Sequence, residues 1–300
     1  MRTMVLRPDQ PFDLDRTLSC GQAFRWEEVD GWWYGVVAGR AIRIRQEGDL
    51  LIFTGADARF ISDYFRLDQD IQSILASIDR DPVIGAAIRE CMGLRLVRQP
   101  HWECLVSYIC ATNTNIPAVK RRIALMAERY GKPIEGPAGR AYAFPEPEAL
   151  ATLSCTDLRE CKVGYRADAV REAALYVAEN QDWAERIAAL PFEEAREALM
   201  RFRGVGPKAA DCVLLFAFGF FEAFPVDVWI HRIMTEAYLP ELEGRECTPT
   251  VYERIRKFAR EYFGDYAGYA QEYLYCVRRS GLPARNGFTA LNPATRQNSR

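Results

Sequence analysis

Between about Phe24 and Phe53 apolar and polar residues alternate, as in Ile42-Arg43-Ile44-Arg45, and turn signals at Asp30-Gly31, Gly39 and Glu47-Gly48-Asp49 interrupt the alternation. A period of two broken at such intervals predicts short antiparallel strands. From about Ala58 onward the period lengthens: Trp102, Leu105 and Ile109 fall at i, i+3 and i+7, and Val119, Ile123 and Met126 repeat the pattern up to Gly131. That spacing places apolar side chains on one helix face. Further helices are predicted over 166–180, 192–203, 207–218, 228–239, 250–263 and 266–280. The Pro/Gly-rich stretch 131–147 predicts a loop between two helical blocks. Residues after Pro283 are polar and patternless, which predicts a disordered tail. The fold class is therefore α+β, with an antiparallel β-domain over 1–87, a mostly helical domain over 88–282 containing a helical hairpin at 193–219, and a tail over 283–300.

Composition narrows the class of protein. Of the 300 residues 49% are apolar and 12% aromatic, enough for a sizeable core. No apolar run approaches the roughly 20 residues that span a bilayer, and Met1 to Pro11 holds no stretch like a secretion signal. The expectation is a soluble, cytoplasmic protein, on the nucleoid of a prokaryote or in the nucleus of a eukaryote, with no membrane partner. Nine cysteines are scattered over the whole length, several inside helical patterns, as Cys104 and Cys110 are. An odd, dispersed set predicts buried reduced thiols rather than a disulfide framework. There is no CxxC pair, and neither His101 nor His231 stands in ligand spacing with a cysteine, so no metal, iron–sulfur cluster or other cofactor is expected.

A net charge of −2 and a pI near 5.9 count against a strong electrostatic binder of nucleic acid. Local clusters would have to carry such binding: Arg89, Arg95 and Arg98; Lys120, Arg121 and Arg122; Arg201, Arg203 and Lys208; Arg278 and Arg279. Each taken alone reads as a solvated helix face.

The segment Phe202-Arg203-Gly204-Val205-Gly206-Pro207-Lys208-Ala209-Ala210-Asp211-Cys212 changes that picture. Gly204 suits the left-handed stop of one helix and Pro207 the first position of the next. A turn of this kind leaves the amides around Gly204, Val205 and Gly206 free to meet an anion such as a DNA phosphate, a grip that needs little net charge. Lys208 falls in the first turn of the second helix, where the positive end of the dipole opposes an ammonium. A free lysine is neutral in only roughly one molecule in 2500 at pH 7, so a nucleophilic lysine needs surroundings that disfavour its charge. Nineteen residues on, Asp227 precedes an apolar helix. It reads as an N-cap, and a rigidly held capping carboxylate can also stabilise positive charge developing on a sugar.

The GVGPKAADC turn together with Pro225-Val226-Asp227 resembles the helix-hairpin-helix glycosylase superfamily, and within it the 8-oxoguanine DNA glycosylases. The resemblance spans about residues 14–280. It includes Ser19-Cys20-Gly21-Gln22-Ala23-Phe24-Arg25-Trp26, the stretch Tyr108 to Ile116, Val163-Gly164-Tyr165-Arg166-Ala167 and Ala270-Gln271-Glu272-Tyr273-Leu274-Tyr275. It implies a two-lobed helical domain and a monomer acting on double-stranded DNA that contains 8-oxoguanine. By the same resemblance Lys208 attacks the sugar C1′ of an extruded nucleotide and forms a Schiff base that undergoes β-elimination, with Asp227 in support. Gly21 offers its carbonyl to N7–H of the damaged base, where normal guanine carries an acceptor. Gln271 reads the Watson–Crick edge, and Cys212 and Tyr275 sandwich the ring. Asn113 fills the gap left by the base, Tyr165 wedges the opposite strand and Arg166 meets the orphaned cytosine.

Three positions depart from the family pattern. Arg203 replaces the usual hairpin proline, while Trp229 and Ala118 stand where mammalian members have a phosphate-contacting histidine and a second cytosine-reading arginine. Those departures imply a looser demand for cytosine opposite the lesion. Two other readings stay open at this point: an alkylated-base glycosylase, which needs the aspartate but no lysine, and a non-catalytic hairpin module that only grips DNA.

Overall fold

The computed structural model describes residues 1–279; the tail expected over 283–300 lies outside them. Five strands, β1 (Arg2–Val5), β2 (Trp26–Val29), β3 (Trp32–Val37), β4 (Arg40–Glu47) and β5 (Leu50–Thr54), form one antiparallel sheet in the order β1-β5-β4-β3-β2. The alternation does what a period of two requires. Ile42 and Ile44 of β4 enter a core with Trp26, Trp33, Leu51 and Phe53, while Arg43 and Arg45 lie on the other face over the Trp32 ring, at 3.7 and 4.4 Å from its centroid. Gly35 is required here because a Cβ on it would stand 2.4 Å from the Trp26 ring. Strand β1 lies outside the predicted range: four residues at an edge carry too little alternation to be read, and its place comes from pairing with β5.

The larger core is helical and begins early in the chain. Helices Ile71–Ile78 and Pro82–Glu90 contribute Ile71, Ile74, Val83 and Ile84 to it, alongside Leu105 and Ile109 of the helix His101–Ala111. The helices expected from periodicity are present as Ala167–Glu179, Phe192–Met200, Pro207–Val213, Val228–Ala237, Pro249–Phe263 and Ala267–Arg279. The run from Pro207 widens into a π turn, Leu214–Phe218, which ends at Gly219 with φ +77°.

Three expectations need correction. The stretch 131–147 is not all loop: Pro133–Gly136 and Gly139–Tyr142 pair as a β-hairpin, because the glycines that signal a break also make its tight turn. Arg95 is not on a solvated helix face. It is fully buried in an extended segment and donates to the carbonyls of Arg66 and Gln69, both at 3.1 Å. The cysteines are not all reduced: Cys91 and Cys276, 185 residues apart, form a disulfide with Cα atoms 6.5 Å apart, a pairing no sequence spacing reveals. Of the remaining thiols Cys20, Cys104, Cys110, Cys161 and Cys212 are buried. Among the described residues no helix is long and apolar enough to cross a membrane.

Candidate active site

The hairpin turn is built from its glycines. Gly204 has φ +80°, and Val205 N–H donates back to Phe202 O at 3.1 Å, closing the turn and burying the Val205 side chain. Val205 therefore spends its amide inside the protein, whereas the exposed Gly204 and Gly206 have no protein hydrogen-bond partner for theirs among the described residues. A Cβ on Gly204 would meet Ala169 Cβ at 3.2 Å, so the turn packs tightly on the helix Ala167–Glu179. Gly206 caps the next helix and Pro207 starts it, which puts Lys208 in the first turn as expected.

Lys208 is half-buried, and its Nζ lies 5.3 Å from the centre of the Tyr108 ring. Tyr108 is itself held by an edge contact with Phe24 and by stacking on Phe216. Asp227 is the N-cap of Val228–Ala237: its Oδ1 accepts from Trp229 N–H at 2.9 Å and Ile230 N–H at 2.8 Å. The two residues come from different elements yet act on the same neighbours. Both lie in electrostatic range of the Cys212 thiol and of the Glu272 carboxyl, the lysine lowering and the aspartate raising the pKa of each.

Lys208 and Cys212 share one face of the hairpin's second helix, and Gln271 and Tyr275 share a face of Ala267–Arg279. Burial keeps the Cys212 thiol protonated, pushing its pKa up to about 12, and also raises the Tyr275 hydroxyl to about 12. Gln271 is only 4% exposed, and its Oε1 is buried with no partner among the described residues. A lone buried acceptor costs about 1–3 kcal/mol unless a ligand satisfies it, and the Watson–Crick edge of a guanine offers two donors. Gly21 sits in the loop after the helix Leu14–Ser19 with φ +100°. Gln22 anchors that loop: its Nε2 donates to Arg95 O at 2.8 Å and its Oε1 accepts from Val97 N–H at 2.8 Å.

The groups assigned to the opposite strand gather on a neighbouring surface. Asn113 is exposed at the turn after His101–Ala111 with φ +50°, and the adjacent Thr112 Oγ1 donates to Gly204 O at 3.3 Å, tying that turn to the hairpin. Tyr165 is 64% exposed. Arg166 is buried instead, its guanidinium donating to Thr112 O and Val163 O while its Cζ lies 4.4 Å from the centre of the Tyr165 ring. Arg166 thereby organises the Asn113 turn.

Sequence reasoning gave no role to Tyr108 or Glu272, and Trp229 stood out only as a departure from the family pattern. Glu272 had a signal, since an acidic residue within the buried stripe of an apolar helix is costly without a purpose. Trp229 is 44% exposed beside Asp227, with Arg232 and Arg278 over its ring.

Residues 4–105 match the family described as the 8-oxoguanine DNA glycosylase N-terminal domain, and residues 106–261 match the HhH-GPD superfamily of base excision DNA repair proteins. The chain is 32% identical to a probable N-glycosylase/DNA lyase of Methanothermobacter thermautotrophicus, covering 92% of this chain and 96% of that protein. Its fold is similar to that of MBOgg1 bound to a low-affinity DNA ligand, with a TM-score of 0.85 and 37% identity over 94% of this chain and all of that one. It also matches the Clostridium acetobutylicum 8-oxoguanine glycosylase/lyase bound to double-stranded DNA with cytosine opposite 8-oxoguanine, with a TM-score of 0.85 and 29% identity over 94% and 98% of the two chains.

Proposed function

We propose, since this chain belongs to the HhH-GPD superfamily of base excision DNA repair proteins and carries the N-terminal domain of 8-oxoguanine DNA glycosylases, that it is a bifunctional DNA glycosylase and lyase that excises 8-oxoguanine. The observation that carries the site assignment is the shared surroundings of Lys208 and Asp227, both acting on Cys212 and Glu272 beside the unpaired Gln271 Oε1. Neutral Lys208 attacks C1′ of the extruded nucleotide. The bond from C1′ to the base breaks, its electron pair leaves with the base, and the base takes up a proton. Opening of the sugar ring gives an imine between Lys208 and C1′. Loss of a C2′ proton then expels the 3′ phosphate by β-elimination, and water releases the enzyme. Asp227 supplies the negative charge that stabilises the cationic sugar.

Gly21 and Gln271 read the two edges of the base, and Cys212 and Tyr275 bracket its faces. Gly204 and Gly206 hold phosphate through their amides. Asn113, Tyr165 and Arg166 replace the lost base and hold the orphaned partner, Arg166 exchanging its bonds to Thr112 and Val163 for a base edge. The protein works as a monomer on chromosomal DNA, in the cytoplasm or in a nucleus. The lysine distinguishes this reading from a monofunctional alkylated-base glycosylase. Borohydride reduction during reaction with an 8-oxoguanine duplex should trap a covalent complex in the native chain and none in Lys208→Gln; equal trapping in both would remove Lys208 as nucleophile.

A further inference from the structure

The helix Ala267–Arg279 has a second face that the reading above does not use. Gln271 and Tyr275 share one face, whereas Glu272, Cys276 and Arg279 fall at i, i+4 and i+7 on the next. Arg279 reaches Cys20, which immediately precedes Gly21. The Cys20 thiol is engaged within its own loop, donating to Thr17 O at 3.2 Å and accepting from Gln22 Nε2 at 3.2 Å, while Arg279 Nη1 donates to the Cys20 carbonyl at 3.0 Å. The same Nη1 stands 2.2 Å from the point a Cβ on Gly21 would occupy, with Ile116 Cδ1 at 2.8 Å, so the guanidinium lies against the Gly21 backbone.

Gly21 has φ +100°, a region open to glycine and costly for other residues, so no side chain of its own fixes the direction of its carbonyl. That direction is set from either side. The peptide planes are rigid, and only the two dihedrals at Gly21 are soft. On the C-terminal side Gln22 is locked by its bonds to Arg95 and Val97. On the N-terminal side the Arg279 bond to the Cys20 carbonyl does the same work.

We propose that Arg279 is a positioning residue that holds the Cys20 carbonyl and bears on the Gly21 backbone, and so fixes the Gly21 carbonyl relative to Gln271 and Tyr275 on the same helix. Lesion recognition then has one ruler. The acceptor for N7–H and the reader of the Watson–Crick edge are both referenced to the helix Ala267–Arg279, although Gly21 and Gln271 are 250 residues apart in the chain.

This inference rests on the proposed excision of 8-oxoguanine, and two substrates separate it from that reading. Excision requires the base to be read, whereas β-elimination at a preformed abasic site does not. Arg279→Met keeps the aliphatic stem and loses the donor. In single-turnover assays it should excise 8-oxoguanine roughly 10- to 100-fold more slowly, as misplacement of a reading group does, and still cleave abasic duplex at the native rate. Arg279→Lys, which keeps a donor at the end of an aliphatic stem, should recover much of the excision. An Arg279→Met chain that excises at the native rate, or that loses both reactions equally, would overturn the positioning role while leaving the lyase reading intact. A native chain that cleaves neither duplex would overturn the proposed function and the positioning role with it.

Discussion

In the proposed mechanism Asp227 would serve folding and chemistry with one side chain. Its Oδ1 holds two backbone amides of the helix Val228–Ala237 and has little freedom left for a substrate. Its Oδ2 makes no hydrogen bond within the protein among the described residues, and the carboxylate as a whole carries the charge. Asn at this position keeps an oxygen for the cap and loses the charge. Asp227→Asn should therefore melt close to the native protein and bind lesion DNA, while its single-turnover excision falls about 10²- to 10³-fold, the usual loss when a preorganised charge is removed. Excision near the native rate would leave Asp227 a cap alone. The sequence reveals this residue because capping leaves a local signature, a carboxylate before an apolar helix. Arg279 leaves none, since its meaning comes from Cys20, more than 250 residues away in the chain.

At the scale of elements, the hairpin is held from behind by a buried ion pair. Asp211, fully buried on the hairpin's second helix, accepts from Arg196 Nε at 2.9 Å and from the Tyr252 hydroxyl, and Arg196 also pairs with Glu253 at 2.6 Å. One cluster thus joins the helices Phe192–Met200, Pro207–Val213 and Pro249–Phe263. Burial raises Asp211 to about 6 against 3.8 for the free group, with Arg196 and Arg256 pulling the other way. Its folded pKa lies above its unfolded one, so its contribution to stability is full below about pH 4 and is lost as pH rises through 6. Arg196→Met should push Asp211 higher still. The destabilisation should be small at about pH 5, where the acid is protonated, and grow towards the roughly 3–5 kcal/mol typical of a stranded buried charge at alkaline pH. Thermal melts across that range test it; a cost independent of pH would mean that lost packing dominates. The elements themselves were legible where amphipathic periods ran long, as in the helices and β3 to β5. They were not legible where the partner decides the structure: β1 needs β5, and the hairpin formed by Pro133–Gly136 and Gly139–Tyr142 was hidden by the glycines that make its turn.

For the whole molecule the question is how a chain of net charge −2 holds a polyanion. Much of its positive charge is committed internally. Arg95 is buried among carbonyls, Arg196 and Arg256 sit in the ion-pair cluster, and Arg166 is bound to the Asn113 turn. Near Lys208 and Asp227 stand the amides of Gly204 and Gly206, the exposed Arg201 of the hairpin, and the pair Arg232 and Arg278 over Trp229. Amide contacts release few counterions, and each phosphate neutralised by a cationic side chain adds about −0.9 to the slope of log K against log salt. Some three to five such contacts give a slope between roughly −3 and −5. Equilibrium binding to an 8-oxoguanine duplex, followed with catalytically inert Lys208→Gln across a salt series, should fall in that range. A slope near about −10 would require a basic surface far larger than this distribution of charge provides, and the amide grip of the hairpin would then be a minor part of the hold.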